Sequence, residues 1–147
     1  SADPFSVRAA PTGINTPMHE NDRSTHVAEL TSWVRQFVEE RDWDQFHTPK
    51  DLAIGLSIEA SELLEHFRFL SNDRVAELLG DEEARQGVAH ELADVLYFVL
   101  LMCSNLGLDT TTILREKLNL SAERYPIEKA RGRNVKYTEL DTSPSQE

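Results

Sequence analysis

Cysteine is almost missing from this chain. Its 147 residues hold one, Cys103, so no intrachain disulfide can form and a thiolate zinc site has too few ligands. Long hydrophobic runs are missing too: the longest, Val95 to Cys103, falls well short of the roughly 20 apolar residues that a membrane span requires. No segment alternates with the period of a strand and nothing recurs at a fixed interval, which excludes a sheet protein and a repeat array. Positive charge is scarce. Fifteen Lys and Arg against 26 Asp and Glu leave a formal net charge of −11, which argues against a general binder of polymeric nucleic acid. The opening stretch "SADPFSVRAAPTGINTPMHENDRST" has neither the basic start nor the apolar core of a secretory leader, and a cytoplasmic location is the expectation.

What is present is helical periodicity in one domain's length of chain. Residues 1–23, rich in Pro, Ser, Thr, Asn and Asp without periodicity, read as a disordered arm, and 141–147 as a disordered tail. The helical domain is 24–140. A first helix starts at Ser24 or Thr25 as cap, with Val27, Leu30, Val34, Phe37 and Val38 at helical spacing. A second opens on Thr48, with Pro49 in its first turn and Asp51 three residues after the cap, and runs to about Leu70. A short helix over "RVAELL" precedes Gly80. Asp81 caps a long third helix that closes at Gly107, and Asp109 caps a fourth that stops before Pro126. The expected fold is an all-α bundle of four antiparallel helices. Because the third helix is apolar nearly all round from Val95 to Met102, and such a helix must be covered on every side, the bundle is expected to oligomerise.

Against this pattern the carboxylates stand out. At 100° per residue Glu59 and Glu62 share a face of the second helix with Leu52, Gly55, Leu63, His66 and Leu70. Glu91 and Asp94 share a face of the third with Val95, Phe98 and Met102. Four inward carboxylates would repel one another and lose hydration, at a cost of several kcal/mol each, unless they protonate or bind a cation. Oxygen-only ligands favour hard Mg²⁺, or Mn²⁺, over zinc. The competing reading is an ordinary solvated face, on which E-x-x-E is common. Glu65 is offset from its neighbours and reads as surface, while His66 reads either as a ligand or as a satisfied histidine beside the core.

Glu59-x-x-Glu62 followed by Glu91-x-x-Asp94 on successive helices resembles the signature of the MazG-like all-α nucleoside triphosphate pyrophosphohydrolases. "RDWDQFHTPKDL", "ELADVLYFV", Lys117, "RYP" at Arg124 to Pro126 and "KYTEL" at Lys136 to Leu140 are similar, in order and spacing, to the dCTP pyrophosphatase branch. The resemblance covers about Ala28 to Leu140. It implies a homotetrameric helical fold that holds Mg²⁺ on Glu59, Glu62, Glu91 and Asp94. The implied reaction splits a nucleoside triphosphate into monophosphate and pyrophosphate, in the service of nucleotide-pool sanitation. Glu62 is the expected catalytic carboxylate, orienting or deprotonating the water.

The same resemblance assigns Lys117, Arg124 and Lys136 to the phosphates. All three lie in a basic island, Arg115 to Lys136, on an otherwise acidic chain. Arg115, Lys129 and Arg131 in that island read as solvated charge. Ser121 stands where many relatives carry Asn. Trp43, His47 and Phe98 match base-contacting positions, although Trp43 and Phe46 also suit a core. Phe98 replaces a Tyr and Phe69 a Trp of the animal enzymes, which implies a looser base preference. Two other classes compete. A carboxylate-bridged di-iron bundle wants Glu-x-x-His on two helices, and no Glu stands three before a histidine in this domain. A non-catalytic helical module would use the acidic pairs for assembly or regulation alone.

Overall fold

The computed structural model describes residues 21–141. The expectations for 1–20 and 142–147 lie outside the described residues. Among those residues the chain is all-helical, with six α-helices and no strand: α1 Val27–Glu39, α2 Pro49–Glu65, α3 Asn72–Leu78, α4 Glu82–Asn105, α5 Thr110–Arg124 and α6 Ile127–Ala130. Short 3₁₀ turns occupy Asp44–Phe46 and Tyr137–Glu139. The chain divides into two compact units, the first ending at Gly107 and the second beginning at Leu108.

Most helix starts are set by side chains that satisfy the orphan amides of a first turn. Thr48 Oγ1 accepts from the Asp51 N–H at 3.2 Å, Asp81 Oδ2 from Ala84 at 2.8 Å and Asp109 Oδ2 from Thr112 at 2.9 Å. The Thr112 hydroxyl also donates to Asp109, and these bonds hold that carboxyl below its ordinary pKa. Gly107 at φ +65° takes the left-handed conformation that closes α4, which is open to glycine without a Cβ penalty.

Two boundaries depart from expectation. The cap of α1 is His26, whose backbone N–H donates to Glu29 at 2.7 Å, because Ser24 is engaged in a preceding turn with Asn21. Helix α2 ends at Glu65, not near Leu70. Phe67 and Arg68 both donate to the Leu64 carbonyl there, and Ser71 already caps α3 through the Arg74 amide at 3.4 Å, so the chain must turn between them.

In the first unit α4 packs chiefly on α2 and also on α1. Val38, Leu52, Phe98 and Leu101 form the buried centre, with Val34, Phe37, Trp43, Leu56, Tyr97 and Met102 packed around it. Tyr97 stands edge-on to Phe37 and Phe98, and burial pushes its hydroxyl up to about 12. Cys103 is buried. Other apolar side chains of the same helices remain exposed, among them Ile54, Ile58, Leu92 and Leu96. By length and composition α4 would also suffice to cross a membrane, contrary to the estimate from its apolar run alone. Core helices meet the same criterion, and α4 carries Glu91 and Asp94 within its length.

In the second unit Tyr125 and Tyr137 pack edge to face at 6.1 Å, and the Tyr137 amide donates to the Tyr125 hydroxyl at 3.3 Å. Arg133 closes the segment after α6 by donating to the Leu140 and Glu139 carbonyls, and Lys129 pairs with Asp141.

Candidate active site

The contact between α2 and α4 decides where the carboxylates go. Gly55 on α2 leaves room for the Phe98 ring, since a Cβ there would lie 2.4 Å from Phe98 Cε1. One helical turn further along α2 this close approach carries Glu59 inward, to 5% exposure, and Glu62 follows on the same face with its side chain in solvent. Glu91 faces them from α4, half-buried. Glu59, Glu62 and Glu91 each bring a carboxylate oxygen within 4.8 Å of the others. Asp94 is half-buried one turn further along α4 and is not one of this trio.

His66 Nε2 lies 3.8 Å from Glu91 Oε1. The imidazole occupies space left by Gly87, one turn before Glu91, where a Cβ would meet its Cε1 at 3.2 Å. Glu65 is exposed and bound to Arg68 at 2.6 Å, as its offset on the helix predicts.

Three carboxylates so close repel one another, and Glu59, almost fully buried, has lost water. A hard divalent cation removes both costs, and an all-oxygen donor set at this spacing fits Mg²⁺ or Mn²⁺. The residues therefore fit the metal that the motif implies.

The residues matched to the base lie in the same unit. Trp43 is half-buried, edge-on to Phe37 at 5.8 Å. His47 is half-buried as well, and burial holds its imidazole below the ordinary pKa against the opposing charges of Asp44 and Asp51. Phe98 is 3% exposed and sits inside the core over Gly55. The three matched to phosphates all lie in the second unit. Lys117 and Arg124 are exposed on α5 and seven residues apart, so they share a face. The Arg124 guanidinium stacks over Tyr137 at 5.3 Å, and Lys136 is exposed just before the last 3₁₀ turn.

Pattern reading passed over Arg35 and Asn105. Arg35 donates to Asn105, Asp44 and Glu39, and Asn105 donates to the His47 carbonyl. Polar residues near helix ends carry no periodic signal, and only the fold brings these two together.

A helical protein with a carboxylate trio suited to a divalent cation defines a class, and similarity narrows it. The MazG-like family model matches residues 54–140. The chain belongs to the MazG-like family. It is 31% identical to dCTP pyrophosphatase 1 of Rattus norvegicus over 140 residues, 95% of this chain and 74% of that one. To dCTP pyrophosphatase 1 of Homo sapiens it is 32% identical over 105 residues, 71% of this chain and 62% of that one, so it spans under two thirds of the human relative's length. A crystal structure of a pyrophosphatase from Archaeoglobus fulgidus aligns with a TM-score of 0.64 at 34% identity, covering 75% of this chain and 99% of that one. Family and relatives together support a nucleoside triphosphate pyrophosphohydrolase.

Proposed function

We propose that this chain hydrolyses dCTP, or a closely related pyrimidine nucleotide, to the monophosphate and pyrophosphate in a Mg²⁺-dependent reaction. The observation that carries the reading is the meeting of Glu59, Glu62 and Glu91 at the contact of α2 with α4. Glu59, Glu91 and Asp94 would hold the cation, with Glu62 shared between holding it and catalysis. When bound, Mg²⁺ supplies charge neutralisation for the triphosphate. Glu62 is the solvent-exposed member of the trio and therefore the one that meets water, which it orients and deprotonates. The water oxygen forms a bond to the α-phosphorus, the bond to the bridging oxygen breaks, and pyrophosphate departs with the electron pair.

Lys117, Arg124 and Lys136 offer cationic partners for the phosphates, and Trp43 offers an aromatic face for the base. A neutral His47, favoured by its burial, is suited to hydrogen bonding at a base edge. Phe98 supports this region from within the core. The names of the rat and human relatives favour dCTP among the pyrimidines.

The test is a panel of ribo- and deoxynucleoside triphosphates incubated with purified protein and Mg²⁺, with pyrophosphate release measured. Release from dCTP that exceeds release from purine nucleotides and stops on chelation is the expected result. No release from any nucleotide, with Mg²⁺ or Mn²⁺, would favour the non-catalytic helical module.

A further inference from the structure

The segment that carries Trp43 and His47 is tied down from two sides by a polar network. Arg35 on α1 places Nη1 2.8 Å from Asn105 Oδ1, at the last turn of α4, and 3.4 Å from Asp44 Oδ1. Its Nη2 lies 3.3 Å from Asp44 Oδ2 and 3.2 Å from Glu39 Oε1. Asn105 then passes its own amide N–H to the His47 carbonyl at 3.1 Å. One guanidinium fork thus holds Asp44, between Trp43 and His47, while the asparagine it orients holds His47 itself.

The segment needs such an anchor. Asp42, just before Trp43, stands at φ +53°, a left-handed conformation uncommon for a residue with a Cβ. Gln45 caps that turn by donating to the Asp42 carbonyl at 3.0 Å and to its carboxylate at 2.9 Å. The Trp43 amide returns to the Val38 carbonyl at 3.1 Å. These local bonds shape the turn, and Arg35 with Asn105 sets where the shaped turn sits against α1 and α4.

We propose that Arg35 and Asn105 are positioning residues for the nucleotide base, fixing the Trp43–His47 segment between α1 and the end of α4. Neither touches a reacting atom. The inference rests on the reading of Trp43 and His47 as base contacts. Misplacing such a segment weakens binding of substrate and transition state alike, so it raises KM and spares kcat.

Asn105→Asp separates this role from general stability, because the carboxylate keeps the acceptor for Arg35 and loses the donor to His47. Arg35→Lys keeps the charge but not the fork that reaches Asn105 and Asp44 together. The experiment measures kcat and KM with dCTP, together with thermal melting, for Trp43→Ala, Asn105→Asp, Asn105→Ala and Arg35→Lys. For the Asn105 and Arg35 variants KM should rise about threefold to tenfold, the change that one net hydrogen bond carries, with kcat within about twofold of the parent. Trp43→Ala should raise KM at least as much. If Trp43→Ala raises KM while Asn105→Asp and Arg35→Lys leave it unchanged, the positioning role is overturned and the base reading stands. If kcat falls in step with the melting temperature at constant KM, the network is structural only and the inference is again overturned. A KM untouched by Trp43→Ala overturns the base reading and the inference with it.

Discussion

Phe98 lays its ring on the α2 backbone at Gly55 so closely that a Cβ at that position would sit 2.4 Å from Cε1 and 2.5 Å from Cζ. The glycine is what lets α2 and α4 meet one turn away from Glu59. Gly55→Ala forces either the ring or a helix to shift, and such overpacking costs about 1–3 kcal/mol. Phe98→Ala leaves a hole in the same place and should cost about 3–5 kcal/mol. Urea melts with unchanged m-values should give both losses. A Gly55→Ala protein as stable as the parent would show that the ring has room to step aside.

The carboxylate trio sets stability against function. Glu59 is buried beside two other carboxylates, so replacing it with the neutral isostere relieves repulsion in the metal-free protein. Glu59→Gln should therefore melt higher than the parent in chelator, respond less to added Mg²⁺, and turn over at least roughly 100-fold more slowly. Glu62→Gln, Glu91→Gln and Asp94→Asn should show the same loss of turnover. Calorimetric melts with and without Mg²⁺, beside pyrophosphate release, test the pair of effects. A Glu59→Gln protein that is less stable than the parent without metal would mean that the buried charge is already neutralised by other means.

Burial of His47 makes a pH dependence. Its folded pKa is lowered from the ordinary 6.5, so below that value the unfolded chain takes up a proton at this site that the folded chain resists. Stability from this group is complete above the unfolded value and is lost as pH falls through the folded one. His47→Gln should flatten the decline between about pH 7 and about pH 5, a window that lies above most carboxylate titrations. His19, His26, His66 and His90 remain in both proteins, so the difference between the two melting profiles isolates His47. Parallel profiles would mean that the imidazole is as free to protonate folded as unfolded.

The starts of α2, α4 and α5 were legible because each rests on a local bond between neighbours: Thr48 to Asp51, Asp81 to Ala84, Asp109 to Thr112. The end of α2 was not, since Phe67 and Leu70 continue the apolar rhythm past Glu65, where the chain turns on the Leu64 carbonyl before Ser71 caps α3. Helical arithmetic put Glu59, Glu62 and Glu91 on facing stripes, and the fold brings their oxygens together, because burial on a helix follows its period. The same arithmetic grouped Asp94 with Glu91, and a shared face does not determine how near each side chain comes to a third point. Arg35 and Asn105 are 70 residues apart, and no sequence pattern links a polar residue of one helix to the last turn of another.

The final prediction concerns the apolar stripes left uncovered. Ile54 and Ile58 stand four apart on α2 and are each 50% exposed, while Leu92 and Leu96 stand four apart on α4 at 53% and 45%. Residues so spaced lie one above the other on a helix, so each helix presents a continuous apolar strip to solvent. Contiguous apolar surface of this kind is rare on monomers, and covering it with a second copy would return roughly 25 cal/mol for each Å² removed from water. The protein should therefore sediment as a dimer or, with both strips engaged, a tetramer at micromolar concentration. Leu96→Glu places a charge in the middle of one strip and should shift the distribution to smaller species. Because Leu96 is already solvated in the single chain, that substitution costs the isolated fold little, and a loss of assembly would not be confused with unfolding. A parent protein that sediments as a monomer, with the same profile as Leu96→Glu, would refute the association.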